Sequence, residues 1–137
     1  MYESLLARLP KGEDLLVALT AVFREREMTK AGFTVIGALD HCVLGYYDPI
    51  RRQYQSREFP GPLEIVACMG NVSEKDGEIF VHAHIMVSGE DYHCYGGHLM
   101  PDSAIFAAEL FATPVPGAIP VRTFDQPTGL ALWSEPK

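Results

Sequence analysis

The sequence predicts an α/β protein of the α+β type, a compact single domain in which an N-terminal helix packs on a mainly antiparallel mixed sheet. Three observations lead to this class. The hydrophobic period is helical only near the N-terminus, it changes to two over the rest of the chain, and Gly- and Pro-containing turns separate the apolar segments. With 137 residues, 47% of them hydrophobic, the chain is long enough to bury its own core. No linker divides it, so we expect one domain over residues 1–137 with its core at about residues 6–133.

The helix is predicted over residues 13–28. Its apolar side chains follow the i, i+3, i+4, i+7 spacing of one buried stripe, which consists of Leu15, Leu16, Leu19, Val22 and Phe23. Charged residues occupy the outer side of the last turns, and Gly32 follows closely enough to end the helix. This pattern is typical of a surface helix packed on a sheet.

Strands are predicted where short segments are rich in β-branched and aromatic residues. These segments span residues 33–39, 41–48, 52–59, 62–73, 78–87 and 91–99. Turn signals at 48–49, 60–62, 75–77 and 89–91 separate them, and tight turns imply antiparallel neighbours. Residues 103–112 are ambiguous, because their alanines favour a helix while their length and setting favour a strand, which we predict. Two short strands at residues 121–124 and 129–133 complete the sheet.

Charge and composition restrict the partners. The net charge of −7 argues against nucleic acid, because duplex binding depends on clustered Lys and Arg that release counterions. In the segment "PIRRQYQSR", Arg51, Arg52 and Arg57 lie close to Tyr54, and they are the weak candidates for DNA contact.

The three cysteines form no CxxC pair, which suits a reducing compartment. Without a signal peptide or an apolar run of about 18 residues, we expect a soluble cytoplasmic protein with no membrane partner.

Four of the five histidines lie between Val81 and Leu99. In a strand over residues 79–87, side chains alternate between two faces, and the odd-numbered residues form an aliphatic face that must contact the core. The even-numbered side chains, including His82 and His84, then point toward solvent, a cleft or another subunit.

The register of the following strand decides which histidine joins these two. If residues 89–91 form a three-residue hairpin loop, His82 lies opposite His98 and His84 lies opposite Gly96. Three imidazoles then converge on one face. A two-residue loop would instead turn His98 toward the aliphatic face, so the prediction depends on the register.

His82, His84 and His98 are therefore the candidate metal ligands. Zinc binds imidazole nitrogens at about 2.0–2.1 Å and can keep a fourth position open for water or substrate. Zinc is preferred here, with iron or nickel as other divalent ions that imidazole binds. The alternative is a set of histidines hydrogen-bonded at a subunit interface. In the expected register His93 faces the other side, and His41 is far away in sequence, so both are left outside the site.

Glu64 and Glu109 interrupt apolar runs, where a carboxylate costs free energy unless it is paired or hydrogen-bonded. One interpretation is a buried ion pair with Arg57 or Arg122. The other makes one of them a candidate catalytic acid, either as an acceptor for a ligating imidazole or as a general base acting on metal-bound water. No GxSxG, P-loop or GxGxxG motif is present, so nucleotide-binding folds and serine hydrolases have no support.

Nearly the whole chain, from about residue 6 to residue 133, resembles the stand-alone prokaryotic type of the PPC (plants and prokaryotes conserved) domain family. The segments that carry the resemblance are "GEDLLVALTAVFRE", "AGFTVIGALDHCVLGYYD", "GPLEIVACMGNVSEKDGEIFVHAHIMVS" and "YGGHLMPDSAIFAAELF". The resemblance implies a compact α/β fold, a homotrimer, and a metal site at His82, His84 and His98. It supplies no reaction. Plant members carry the domain behind AT-hook motifs, and this chain has no Arg-Gly-Arg-Pro hook, so their DNA binding cannot be carried over.

Three functions remain open. The first is a homotrimeric metal-binding protein with a regulatory or ligand-sensing role, whose partners are its own copies and a small-molecule ligand near the metal. The second is a metal-dependent hydrolase or lyase that uses a metal-activated water, with Glu64 or Glu109 as the base. The third is DNA binding, which is the family's regulatory label. Whether the protein is an enzyme is left open.

Overall fold

A computed structural model describes residues 3–135 of the chain. Its elements are β1 (Leu5–Leu9), α1 (Leu15–Glu25), β2 (Ala31–Asp48), β3 (Gln53–Lys75), β4 (Glu78–Ser88), β5 (Cys94–Leu99), β6 (Ile105–Pro114), β7 (Val121–Asp125) and β8 (Leu130–Leu132). The α+β class is confirmed, and so is the strand predicted over residues 103–112. Among residues 3–135, no helix has the length and apolar character needed to cross a bilayer.

All eight strands join in one sheet, in the order β1-β6-β2-β5-β4-β3-β7-β8. Because β2 also pairs with β3, the strands β2, β3, β4 and β5 form a closed circuit and make the sheet barrel-like. Within the described residues, only β3 and β7 pair in parallel. The sheet is therefore mainly antiparallel and mixed, as the turn signals predict.

The helix α1 is shorter than the predicted segment. It begins at Leu15 because Asp14 caps it, and the Asp14 Oδ1 atom accepts a hydrogen bond from the Val17 N–H at 2.9 Å. It ends at Glu25, and Glu27 has a φ of 51°, which takes the chain out of the helix. Its apolar stripe packs against β4 and β1 and joins the core.

The turn predicted at residues 60–62 is wrong. β3 continues through these residues and stays paired with β2 across a register shift between Leu39 and His41. Two prolines are tolerated here because β4 pairs with β3 only from Glu64 onward, so this part of β3 lacks a neighbour on its second side. The four strands predicted over residues 33–73 are thus two long strands, β2 and β3.

All three cysteines are free thiols. Cys42 and Cys68 are buried in the core, whereas Cys94 is exposed at the start of β5. Burial raises the pKa of the Cys68 thiol to about 12, so this thiol stays protonated and behaves as a small apolar side chain.

Candidate metal centre

The alternation of β4 turns two histidines away from the core. Ala83, Ile85 and Val87 are buried, as their apolar side chains require. His82 and His84 therefore lie on the outer face of the sheet, where His84 is exposed and His82 is partly buried. The aliphatic face predicted for this strand is confirmed.

The loop between β4 and β5 is longer than predicted. Ser88 pairs with Cys94, which leaves residues 89–93 as the loop. The Asp91 carboxylate accepts a hydrogen bond from the N–H two residues later at 3.1 Å, and Tyr92 has a φ of 63°. These local bonds keep residues 91–93 out of the strand in which we expected them.

The pairing between the histidines consequently differs from the prediction. His84 lies opposite His98 rather than opposite Gly96, and His82 lies opposite Asn71 of β3. The loop is longer by two residues, which is an even number, so β5 still presents the same side chains to the core. His98 therefore reaches the predicted face in spite of the wrong partner.

The three imidazoles form one compact group. Ring centroids lie 5.2 Å apart for His82 and His84, 5.1 Å apart for His82 and His98, and 5.6 Å apart for His84 and His98. One ligand nitrogen of each lies within 4.8 Å of the others. Nitrogens that share one zinc at about 2.0–2.1 Å lie roughly 3.3–3.4 Å apart. Side-chain rotations that move these nitrogens by about an ångström would therefore bring them to the separation that one zinc ion requires.

Tyr54 of β3 covers His98, with ring centroids 4.7 Å apart. It reaches His98 across Gly45 of β2, which pairs with both Ser56 and His98. A Cβ atom at Gly45 would lie 3.2 Å from Cδ1 of Tyr54 and 2.7 Å from the Met100 sulfur. The absence of a side chain at Gly45 is therefore what lets the tyrosine ring lie over the histidine.

The surroundings favour neutral imidazoles, the form that binds metals. Burial lowers the pKa of His82 to about 4, and the positive charge of Arg122 and the other two histidines act in the same direction. Burial also lowers the pKa of His98. The Nδ1 atom of His98 is buried and has no hydrogen-bond partner within residues 3–135. A metal ion would supply the partner that this nitrogen lacks, so the group fits a cation that imidazole binds.

Arg122 of β7 is the residue at this site that sequence reasoning missed. It is 8% exposed, and one guanidinium nitrogen lies 3.4 Å from Nδ1 of His82. Its other hydrogen bonds, at 3.1–3.2 Å, go to Asn71 Oδ1, Ser73 Oγ and the Ala131 carbonyl. The rings of Phe80 and Trp133 flank it, with centroids 5.2 and 5.0 Å from its Cζ. Only the parallel pairing of β3 with β7 brings it here, and no local pattern in the sequence indicates that pairing.

The remaining histidines and the two candidate acids lie outside the group of three histidines. His93 is exposed in the hairpin loop, with Nδ1 3.0 Å from Asp91. Glu64 and Glu109 are exposed on the outer faces of β3 and β6, and within residues 3–135 neither pairs with Arg57 or Arg122. Because both carboxylates point to solvent between buried neighbours, neither needs the buried ion pair that the apolar runs suggested.

The three candidate arginines for DNA contact have different surroundings. Arg51 and Arg52 are exposed in the turn between β2 and β3, where Arg51 lies 3.8 Å from Asp48 and Arg52 donates to a backbone carbonyl at 3.1 Å. Arg57 of β3 is exposed as well, with its Cζ 4.9 Å and 6.0 Å from the ring centroids of Phe59 and Tyr95. Arg57 is therefore a third exposed cation near the turn, and its guanidinium lies close to two aromatic rings.

The fold and this group define a small α+β domain with a barrel-like sheet and three convergent histidines on its outer face. Residues 2–116 match the model of the Plants and Prokaryotes Conserved (PCC) domain, also abbreviated PPC, and the chain belongs to this family. The resemblance found in the sequence is confirmed.

Three solved structures are similar to this chain. A metal-containing protein from Archaeoglobus fulgidus is 40% identical with a TM-score of 0.92, and the match covers 98% of this chain and 94% of that one. A PPC protein from Pyrococcus horikoshii is 34% identical with a TM-score of 0.94, covering 99% and 94%. A protein from Ralstonia eutropha JMP134, provisionally named as DNA-binding, is 25% identical with a TM-score of 0.86, covering 96% and 90%. No curated protein matches the chain.

Proposed function

We propose that this protein is a cytoplasmic homotrimer that binds one divalent ion per chain through His82, His84 and His98 and serves a regulatory or ligand-sensing role. The observation that carries the proposal is the convergence of three imidazoles whose ligand nitrogens lie within 4.8 Å of one another. Zinc is the preferred ion, because three neutral imidazoles with an open fourth position are a zinc ligand set. When bound, zinc would supply Lewis acidity at that position.

Two further observations support metal binding. The buried Nδ1 atom of His98 has no hydrogen-bond partner in the described part of the chain, and such a polar atom needs one. In addition, the relative from Archaeoglobus fulgidus, which is 40% identical, is named as metal-containing. The free cysteines support a reducing compartment such as the cytoplasm.

The outer face around the histidines supports assembly with further copies. Met69, which lies opposite His84, is 63% exposed, and Met86 on the same strand as His84 is 39% exposed. Val66 is also exposed on this side of β3. Neighbouring apolar side chains of this size in contact with water favour a protein partner, and a second copy of the chain would bury them.

Measuring the metal content of the purified protein tests the proposal directly. We expect about one zinc per chain in the purified protein, and His84→Ala and His98→Ala should each lose most of it, because two imidazoles do not hold the ion. The fold should persist in His84→Ala, since His84 is exposed and makes no core contact. The matched control is His93→Ala, which removes an exposed histidine of the same hairpin outside the group. Unchanged zinc in both ligand variants, or equal loss in His93→Ala, would contradict the proposal.

Geometry favours metal binding over hydrolysis or elimination. A hydrolase or lyase needs a base within hydrogen-bonding reach of the metal-bound water. Glu64 lies opposite Ser88, four residues along β4 from His84, which is about 13 Å at 3.3 Å per residue. Glu109 pairs with Arg8 and Ile36, away from the strands that carry the histidines.

DNA binding is a second candidate because the relative from Ralstonia eutropha carries that provisional name. The cationic feature that would serve it consists of the exposed residues Arg51, Arg52 and Arg57. Retention on heparin with a steep dependence on salt would support a phosphate-binding role, whereas no retention at low salt would end it. With a net charge of −7, we expect no retention.

A further inference from the structure

The histidine group is free of acidic side chains, although the chain carries 18 of them. No carboxylate of residues 3–135 belongs to the group of potential ligands. The charged groups that influence the pKa of His82 are Arg122, His98 and His84, without an Asp or Glu among them. Within residues 3–135 of this acidic protein, the histidine group thus contains no negative charge.

This region instead contains a buried cation. Arg122 is 8% exposed, contacts Nδ1 of His82, and forms no ion pair with a carboxylate of the described residues. It is held by three further hydrogen bonds and by the rings of Phe80 and Trp133, so it cannot turn away into solvent without breaking these contacts. Arg122 and Trp133 belong to the segment beyond residue 116, where the match to the family model ends.

Loading the group with a divalent ion leaves its charge unbalanced. Three neutral imidazoles contribute no charge, so the ion and Arg122 together bring about three positive charges into a partly buried place. Uncompensated buried charge is costly, and in proteins it is paired with an opposite charge. Since residues 3–135 place no carboxylate in this group, a bound anion can supply the balancing charge.

Tyr54 offers a hydrogen-bond donor at the same place. Its ring lies over His98, the residue is 39% exposed, and within residues 3–135 its hydroxyl makes no hydrogen bond. Tyr54 and Arg122 are close enough for each to influence the pKa of the other. A phenol hydroxyl without a hydrogen-bond partner in the described residues is suited to an oxygen atom of an anion.

We propose that the metal-loaded histidine group binds a small oxyanion, carboxylate or phosphate, at the open metal position, with Arg122 supplying positive charge and Tyr54 a hydrogen bond. This inference rests on the proposed metal binding and names the class of ligand that the site takes. It also gives the segment beyond residue 116 a function, because that segment supplies the cation.

Cobalt-substituted protein provides the test, since the visible absorption of Co²⁺ reports its ligands. We expect acetate or inorganic phosphate to change the spectrum saturably, and the tighter of the two identifies the anion class. Tyr54→Phe and Arg122→Gln should each weaken anion binding on the order of tenfold, while Arg122→Lys should retain most of it. Arg8→Gln removes an exposed cation from β1, far from the site, and should leave the anion affinity unchanged.

The outcomes separate the two proposals. Failure of the wild-type protein to bind cobalt or zinc overturns the metal site itself. If cobalt binds but neither anion changes its spectrum, the metal site stands and the anion inference is overturned. The inference is likewise overturned if Arg8→Gln weakens anion binding as much as Arg122→Gln, or if Tyr54→Phe and Arg122→Gln both bind the anions as the wild type does.

Discussion

His82 is the imidazole whose surroundings oppose protonation most clearly. It is partly buried, and Arg122 approaches its Nδ1 atom at 3.4 Å. A guanidinium can only donate, so a proton on Nδ1 would face a second donor here. Burial and the Arg122 charge together lower the pKa of His82 from 6.5 to about 4, and burial lowers that of His98 as well.

This leads to a prediction for the metal-free protein. Between pH 6.5 and about 4 the unfolded chain binds a proton at His82 that the folded protein does not, so the free energy of unfolding should fall as the pH falls through this window. Above pH 6.5 the contribution of this histidine is complete. His82→Gln should show a shallower fall, because it cannot be protonated. Urea unfolding at several pH values, after chelator treatment, measures this, and equal slopes in both proteins would contradict it.

At the scale of elements, the hairpin of β4 and β5 shows which structural features the sequence predicts and which it does not. The odd-numbered residues of β4 from Ile79 to Val87 are all aliphatic, so this face had to be buried and His82 and His84 had to lie on the other. The loop length could not be predicted, since it depends on the Asp91 hydrogen bond and the left-handed conformation of Tyr92. The convergence of His82, His84 and His98 was nevertheless predicted, because the error in loop length was two residues and side chains alternate between faces with a period of two.

Other features depend on contacts between distant segments. The turn expected at residues 60–62 was wrong because the prolines lie where β3 has no second neighbour, and this depends on where β4 ends, at Ser88 opposite Glu64. The local pattern indicates no element at β1, whose strand exists by pairing with β6. Arg122 could not be assigned to the site, because its position requires the parallel pairing of β7. Local periodicity therefore predicts which face of an element a residue occupies. Which strands pair with each other depends on contacts between segments that are distant in sequence.

We predict that the core residue Leu99, rather than the loop, holds the register of β5. Leu99 is 1% exposed, and burying such a side chain contributes about 1.5–3 kcal/mol. Inserting one glycine between Glu90 and Asp91 should therefore leave zinc binding intact, because the loop absorbs it, and two glycines should do the same. Zinc analysis of both variants measures this. Loss of zinc with one glycine and its return with two would mean that loop length sets the register.

On the scale of the whole molecule, the closed circuit of β2, β3, β4 and β5 separates an inner from an outer surface. The inner surface is filled by the core, so the histidines and their apolar neighbours Met69 and Met86 are left on the outside. The same geometry that exposes the metal ligands also exposes the surface that favours association. The proposed metal site and the proposed subunit interface are therefore adjacent.

The assembly prediction follows from this adjacency. The wild-type protein should have a solution mass about three times the chain mass of 15.2 kDa. Met69→Glu should dissociate it, because an unpaired carboxylate buried between subunits costs several kcal/mol. Ile50→Glu is the matched control: Ile50 is 92% exposed in the turn between β2 and β3, and the same change there should leave the mass unchanged. Light scattering after size-exclusion chromatography distinguishes these results. A wild-type mass of one chain, or dissociation by Ile50→Glu as complete as by Met69→Glu, would show that the exposed methionines beside His84 do not form the interface.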